Sequence, residues 1–195
     1  MLKDKVVIIT GAANEVSAAL AGALAKEGAR LVLGDADRNR VEDMAKSLSN
    51  AVPVECNVTR KEQVDGIVKS ALDKFGKVDA LINNSWMTKL CPFVDMSVEV
   101  WDEVLNANLK GAFYVCRAVV PAMRQQKYGR IVNVTSLAGY IGSPNEVHFS
   151  TAQAAIMGFT RCVARELGGS NITVNAVALG GFSYGTLEKL SLIHI

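Results

Sequence analysis

Long apolar runs are missing from this 195-residue sequence, and nothing in it approaches the roughly 18 unbroken apolar residues that a membrane span requires. The N-terminus, MLKDK followed by four apolar residues and a polar turn, also lacks the apolar length of a secretory signal. Histidine is scarce, with two residues. The four cysteines, Cys56, Cys91, Cys116 and Cys162, form no C-x-x-C pair, so the sequence argues against a zinc site. Each cysteine sits in or beside an apolar run, the pattern of buried, reduced thiols in a reducing compartment. Neither sign of charge dominates: 21 basic and 19 acidic residues leave a net +2, with no basic block of the kind that marks a nucleic-acid face. No repeat, low-complexity tract or linker interrupts the chain. These absences point to one soluble, cytoplasmic domain with no nucleic-acid or membrane partner.

Half of the residues are hydrophobic and only 6% aromatic, which suits a Val/Ile sheet covered by Ala/Leu helices. The stretch that organises the rest is Lys5–Ser17, KVVIITGAANEVS. Its continuous Val6–Ile9 run reads as a strand buried on both faces, and the helix after Gly11, ending at Gly28, makes it the first half of a βαβ unit. Further strands are predicted over 30–34, 52–56, 78–82, 130–134 and 172–177. Helices are predicted over 38–48, from a capping box at Thr59–Glu62 to about Phe75, over 98–123 and over 149–167. Strict alternation of this kind predicts an α/β fold: a Rossmann-like, doubly wound parallel sheet in three α/β/α layers. Asp35 closes the second strand about 20 residues beyond the glycine turn. An acid there can bond the ribose hydroxyls of a dinucleotide and repel an extra phosphate, so NAD is favoured over NADP for any nucleotide that binds.

Thr10-Gly11, Asp35, Asn83-Asn84, Asn108 within NANLKGAFY, Ser136 within GRIVNVTSLAG, and the later GFTRCVARELG and NITVNAVA occur in order. With these landmarks the chain resembles the short-chain dehydrogenases/reductases, of the classical type, over nearly its full length. The resemblance implies hydride transfer between a nicotinamide and a carbonyl or alcohol, with a serine, a tyrosine and a lysine managing the proton. It assigns catalytic positions to Asn108 and Ser136, which are retained, and to Phe149 and Gln153, which stand where the tyrosine and lysine belong. No other tyrosine, at 114, 128, 140 or 184, has a lysine four residues on. A lysine at i+4 would hold a phenol near ionisation and a phenol would supply a proton; a benzene ring and an amide do neither. His148 is the one titratable neighbour, and its place on the helix predicts a surface or helix-start residue facing away from the cofactor.

The cofactor positions implied by the same resemblance are Thr10, Gly11, Glu15, Val16, Asp35, Asn57, Val58, Asn84 and Gly180. The T-G-x-x-x-G-x-G pattern keeps only its first glycine, with Glu15 and Ser17 at the other two. The Glu15 carboxylate is expected where a pyrophosphate would sit, competing for the helix dipole, which argues against nucleotide binding. Asn57 replaces the acid after the third strand, Trp86 the glycine of N-N-A-G, adding bulk near the ribose, and Leu179 the proline before Gly180. These changes gather at ligand positions while the core pattern is intact.

The family continues past its sixth strand with a covering loop, a helix and a seventh strand, for which the sequence after Phe182 is too short. The expected domain is therefore 1–189, truncated and lacking the last strand, with an exposed sixth-strand edge. LSLIHI at 190–195 matches a translated sequencing adapter and is expected to be a non-native tail. Three readings stay open: a catalytically inactive or severely impaired member that binds or scaffolds an active homologue, an NAD-dependent oxidoreductase with atypical residues, and a non-functional gene fragment. Helices 98–123 and 149–167 are the expected surfaces for homo- or hetero-oligomers.

Overall fold

A computed structural model describes residues 2–180; the expected boundary at 189 and the tail 190–195 lie outside them. Six parallel strands form one sheet: β1 (Val6–Thr10), β2 (Arg30–Asp35), β3 (Ala51–Glu55), β4 (Ala80–Asn83), β5 (Gly129–Ser136) and β6 (Ile172–Leu179). Their order is β3-β2-β1-β4-β5-β6, so the chain reverses direction across the sheet between β1 and β4. The crevice at that reversal is where doubly wound sheets bind ligands.

The helices are α1 (Glu15–Lys26), α2 (Arg38–Lys46), α3 (Lys61–Phe75), α4 (Val98–Leu105), α5 (Gly111–Gln125), α6 (Ala138–Ile141) and α7 (Val147–Leu167). Period-two alternation along β1 sends Val6 and Ile8 into one core with α3 and α5 residues such as Ile67 and Val119. Val7 and Ile9 enter the other, with Ala21 of α1 and Val41 of α2. The Rossmann-like three-layer architecture is therefore the fold. β6 pairs only with β5 among the described residues, and Val177 on it is half exposed.

The expected single helix over 98–123 is interrupted. Asn106–Lys110 winds as a π-helical turn between α4 and α5, and Asn108 is buried within it. Such turns re-aim a side chain inside a helix. The capping box at Thr59 does not form: Arg60 occupies the cap without a side-chain bond. Asn57 takes the corner instead. Its Oδ1 accepts from the Thr59 amide at 3.0 Å, and its own amide donates to Gln63 Oε1 at 2.7 Å.

The entry to β4 is tied to β1 by Asp79. Its carboxylate accepts from the Val6 amide at 2.8 Å and pairs with Lys5 at 3.1 Å and Lys77 at 2.8 Å. Burial opposes its ionisation, but the bonds from Lys77, Val6 and Lys5 outweigh that and hold the carboxyl below its usual range. A folded value below the unfolded value of about 3.9 gives stability that is present above that pH and lost as pH falls through the folded value. Chemical denaturation should therefore find Asp79→Asn less stable than the parent at neutral pH, with the gap constant down to about pH 5 and narrowing below it.

Candidate functional site

The glycine turn is set by a steric requirement. Gly11 has φ +64°, and a Cβ there would lie 2.3 Å from the Asn84 carbonyl oxygen. No other residue allows the turn after β1 to press on the end of β4. The Gly11 carbonyl accepts from Asn14 Nδ2 and Ser17 Oγ, each at 2.7 Å, and Asn84 Nδ2 donates to Ser17 Oγ at 2.8 Å. Asn14 is also the cap of α1, accepting from the Ser17 amide at 2.9 Å. Ser17, at a glycine position of the family pattern, is fully buried and acts as a polar link.

Glu15 opens α1, at the helix end whose dipole favours an anion. As the first residue of α1 its side chain is exposed, and the cleft beside it is lined by Gly11, Ala13 and Asn14 instead. Val16, next along, is half buried. A cleft of about 1070 Å³ opens over the ends of β1, β2 and β3 and the face of α4, bordered by Asp35, Asn57, Val58, Asn84 and Trp86. Asp35 is fixed there: its carboxylate accepts from the Ala13 and Asp37 amides, each at 3.0 Å. Thr10 lies beneath the turn, fully buried, donating to Asn83 Oδ1 at 2.9 Å.

The expected catalytic positions lie together beyond Trp86. Gln153 is almost fully buried; its Oε1 accepts from Thr135 Oγ1 at 2.8 Å and its Nε2 donates to Asn108 Oδ1 at 3.1 Å. Asn108 donates in turn to the carbonyls of Met87, at 2.7 Å, and Val104, at 2.8 Å. Ser136 is half buried at the end of β5, and its hydroxyl accepts from the Ala138 amide at 3.2 Å. Phe149 is 8% exposed, with the Trp86 ring 6.1 Å away at 57°. The indole, 53% exposed, thus lies between the open cleft and Phe149. Gly180 follows β6 in an exposed position.

The family model for short chain dehydrogenases matches residues 5–191. The chain belongs to the short-chain dehydrogenase family. It is 38% identical over 193 residues to the 3-oxoacyl-(acyl-carrier-protein) reductase FabG of Thermotoga maritima, covering 97% of this chain and 78% of that one. A 3-oxoacyl-(acyl-carrier-protein) reductase of Synechocystis is also 38% identical, over 195 residues, 97% of this chain and 79% of the relative. The crystal structure of NAD⁺-bound xylitol dehydrogenase superposes with a TM-score of 0.89 at 36% identity, over 94% of this chain and 74% of that chain. In this chain, α7 of the short-chain dehydrogenase fold carries a phenyl ring at 149 and an amide at 153.

Of the two placements expected for His148, the structure gives the helix start and not the surface: it is the second residue of α7 and fully buried, with Nδ1 accepting from the Phe149 amide at 2.8 Å and Nε2 without a partner. That bond turns the ring toward its own helix start. Among the described residues no group of three or more His, Cys, Asp or Glu could hold a metal. None of their helices is long and apolar enough to cross a membrane.

Sequence reasoning missed the double role of Asn14, although an Asn directly before a helix is itself a cap signal. It also missed the Thr135–Gln153–Asn108 chain, whose members are far apart in sequence. The cysteines divide differently from expectation: Cys56 and Cys116 are buried, Cys91 is intermediate and Cys162 is exposed on α7. Burial, with a smaller contribution from Asp35, pushes the Cys56 thiol up to about 12, so it borders the cleft as an inert group. Alkylation of the native protein at pH 8, read by peptide mass, should label Cys162 first and leave Cys56 and Cys116 unmodified until the chain is denatured.

Proposed function

We propose that this chain is a nucleotide-binding oxidoreductase-family protein whose own carbonyl chemistry is silent or severely impaired. One observation carries the reading: the i, i+4 pair that should supply and tune a proton is Phe149 and Gln153, and both polar ends of Gln153 are engaged inside the protein. A phenyl ring has no transferable proton, and a neutral amide cannot stabilise a phenolate. Loss of general acid catalysis alone typically costs about 10² to 10⁴-fold.

Nucleotide binding rests on the open cleft beside Asp35. It is supported by the fold shared with an NAD⁺-bound dehydrogenase. The Asp35 carboxylate at the cleft rim, with Asp37 beside it, favours NAD over NADP because a ribose phosphate would meet fixed negative charge. Association with itself or with active homologues through 98–123 and 149–167 belongs to the same reading; Phe113 on α5 is a large apolar side chain left 41% exposed for such a contact.

A second reading, a slow NAD-dependent reductase with atypical residues, is favoured by retention of Asn108 and Ser136 and by relatives named as 3-oxoacyl reductases. One experiment separates the two. NADH oxidation with acetoacetyl-CoA should be near background for the parent chain and rise by about 10² to 10⁴-fold in the triple variant Trp86→Gly, Phe149→Tyr, Gln153→Lys, which also removes the indole that lies against position 149. Turnover of about 1 s⁻¹ or more by the parent would overturn the silent-site reading in favour of the second.

A further inference from the structure

A doubly wound sheet offers two mononucleotide sites, one on each side of its switch point. In this protein the two have diverged. The β1–β3 half is open: the Asp35 carboxylate lies at the cleft rim, each oxygen accepting one backbone amide and keeping lone pairs for a further donor, α1 begins beside it, and Asn84 Oδ1 is unpaired. Asn84 is 1% exposed, borders the cleft, and its Oδ1 has no hydrogen-bond partner. A buried acceptor left unpaired costs about 1–3 kcal/mol, and a ligand donor reaching the end of β4 would recover that.

The β4–β6 half has no comparable capacity. Trp86 lies against Phe149, the Gln153 amide is committed to Thr135 and Asn108, and the Ser136 hydroxyl accepts from Ala138. Neither Ser136, Phe149 nor Gln153 borders the open cleft. A complete nicotinamide dinucleotide therefore does not fit the groups present, whereas an adenosine diphosphate group does.

We propose that the cleft is a site for an adenosine diphosphate moiety, and that the nicotinamide riboside half of a dinucleotide adds nothing to its affinity because Trp86 and Phe149 close that half. The ribose hydroxyls meet Asp35, and the diphosphate meets the amides that open α1, where the helix dipole favours an anion. The proposal rests on the nucleotide-binding reading and narrows its ligand. A protein of this kind responds to adenine nucleotide without distinguishing oxidised from reduced cofactor.

Titration calorimetry of the whole chain with ADP, ADP-ribose, NAD⁺ and NADH tests it. The four dissociation constants should agree within about threefold. NAD⁺ or NADH binding about tenfold or more tightly than ADP would overturn the proposal while leaving the nucleotide-binding reading intact. Failure of all four to bind would overturn both. Trp86→Gly should raise the affinity for NAD⁺ relative to ADP by about tenfold, and an unchanged ratio would overturn the role assigned to the indole.

Discussion

The contact between Gly11 and the end of β4 is the constraint on which the site depends. The missing Cβ lets the turn after β1 lie on the Asn84 backbone, and the turn's left-handed φ costs glycine nothing. Once the two strand ends meet, Asn84 can reach Ser17, Ser17 can reach the Gly11 carbonyl, and Asn14 can cap α1 while bonding that same carbonyl. The turn is thus braced from three directions without the second and third glycines of the family pattern. A serine hydroxyl supplies in hydrogen bonds what a glycine would supply in close approach.

The same logic explains how the β4–β6 half can be stable without its usual charge. A lysine buried at position 153 would carry an ammonium whose desolvation must be offset by partners, at a cost of several kcal/mol if it is not. Gln153 is neutral, and its oxygen and nitrogen each meet a complementary group in Thr135 and Asn108. Asn108 then ties the π-helical turn to the Met87 backbone, so the amide also helps hold the strand-end loop that carries Trp86. The amide at 153 is thus part of a satisfied polar network.

The layout of the sheet was legible because it rests on period-two burial and on alternation. Val6–Ile9 is apolar without a break, and each residue enters one core or the other. Boundaries set by side-chain hydrogen bonds were not legible. The Thr59 box looks right in sequence, yet Asn57, two residues upstream, captures the Thr59 amide first. The start of α1 was legible only in part: Asn14 is its cap, so the helix begins at Glu15, whose side chain is exposed. Phe149 and Gln153 were located by the family resemblance, counting thirteen residues from Ser136 and four more along the helix. Their partners, Trp86, Thr135 and Asn108, come from other elements and needed the fold to bring them together.

Taken together, the site substitutions are physically coupled. An indole replacing a glycine at 86 would expose both faces to water unless something apolar lay beneath it, and Phe149 provides that surface at a tilted aromatic distance. A tyrosine at 149 covered by Trp86 would have to find a partner for its hydroxyl under the indole, whereas phenylalanine has no such need. With the phenol gone, a charged residue at 153 would have no anion to stabilise and would keep only its desolvation cost, which the amide avoids. Each residue thus suits its neighbours: the indole rests against the Phe149 ring, and Gln153 completes a hydrogen-bond chain with Thr135 and Asn108.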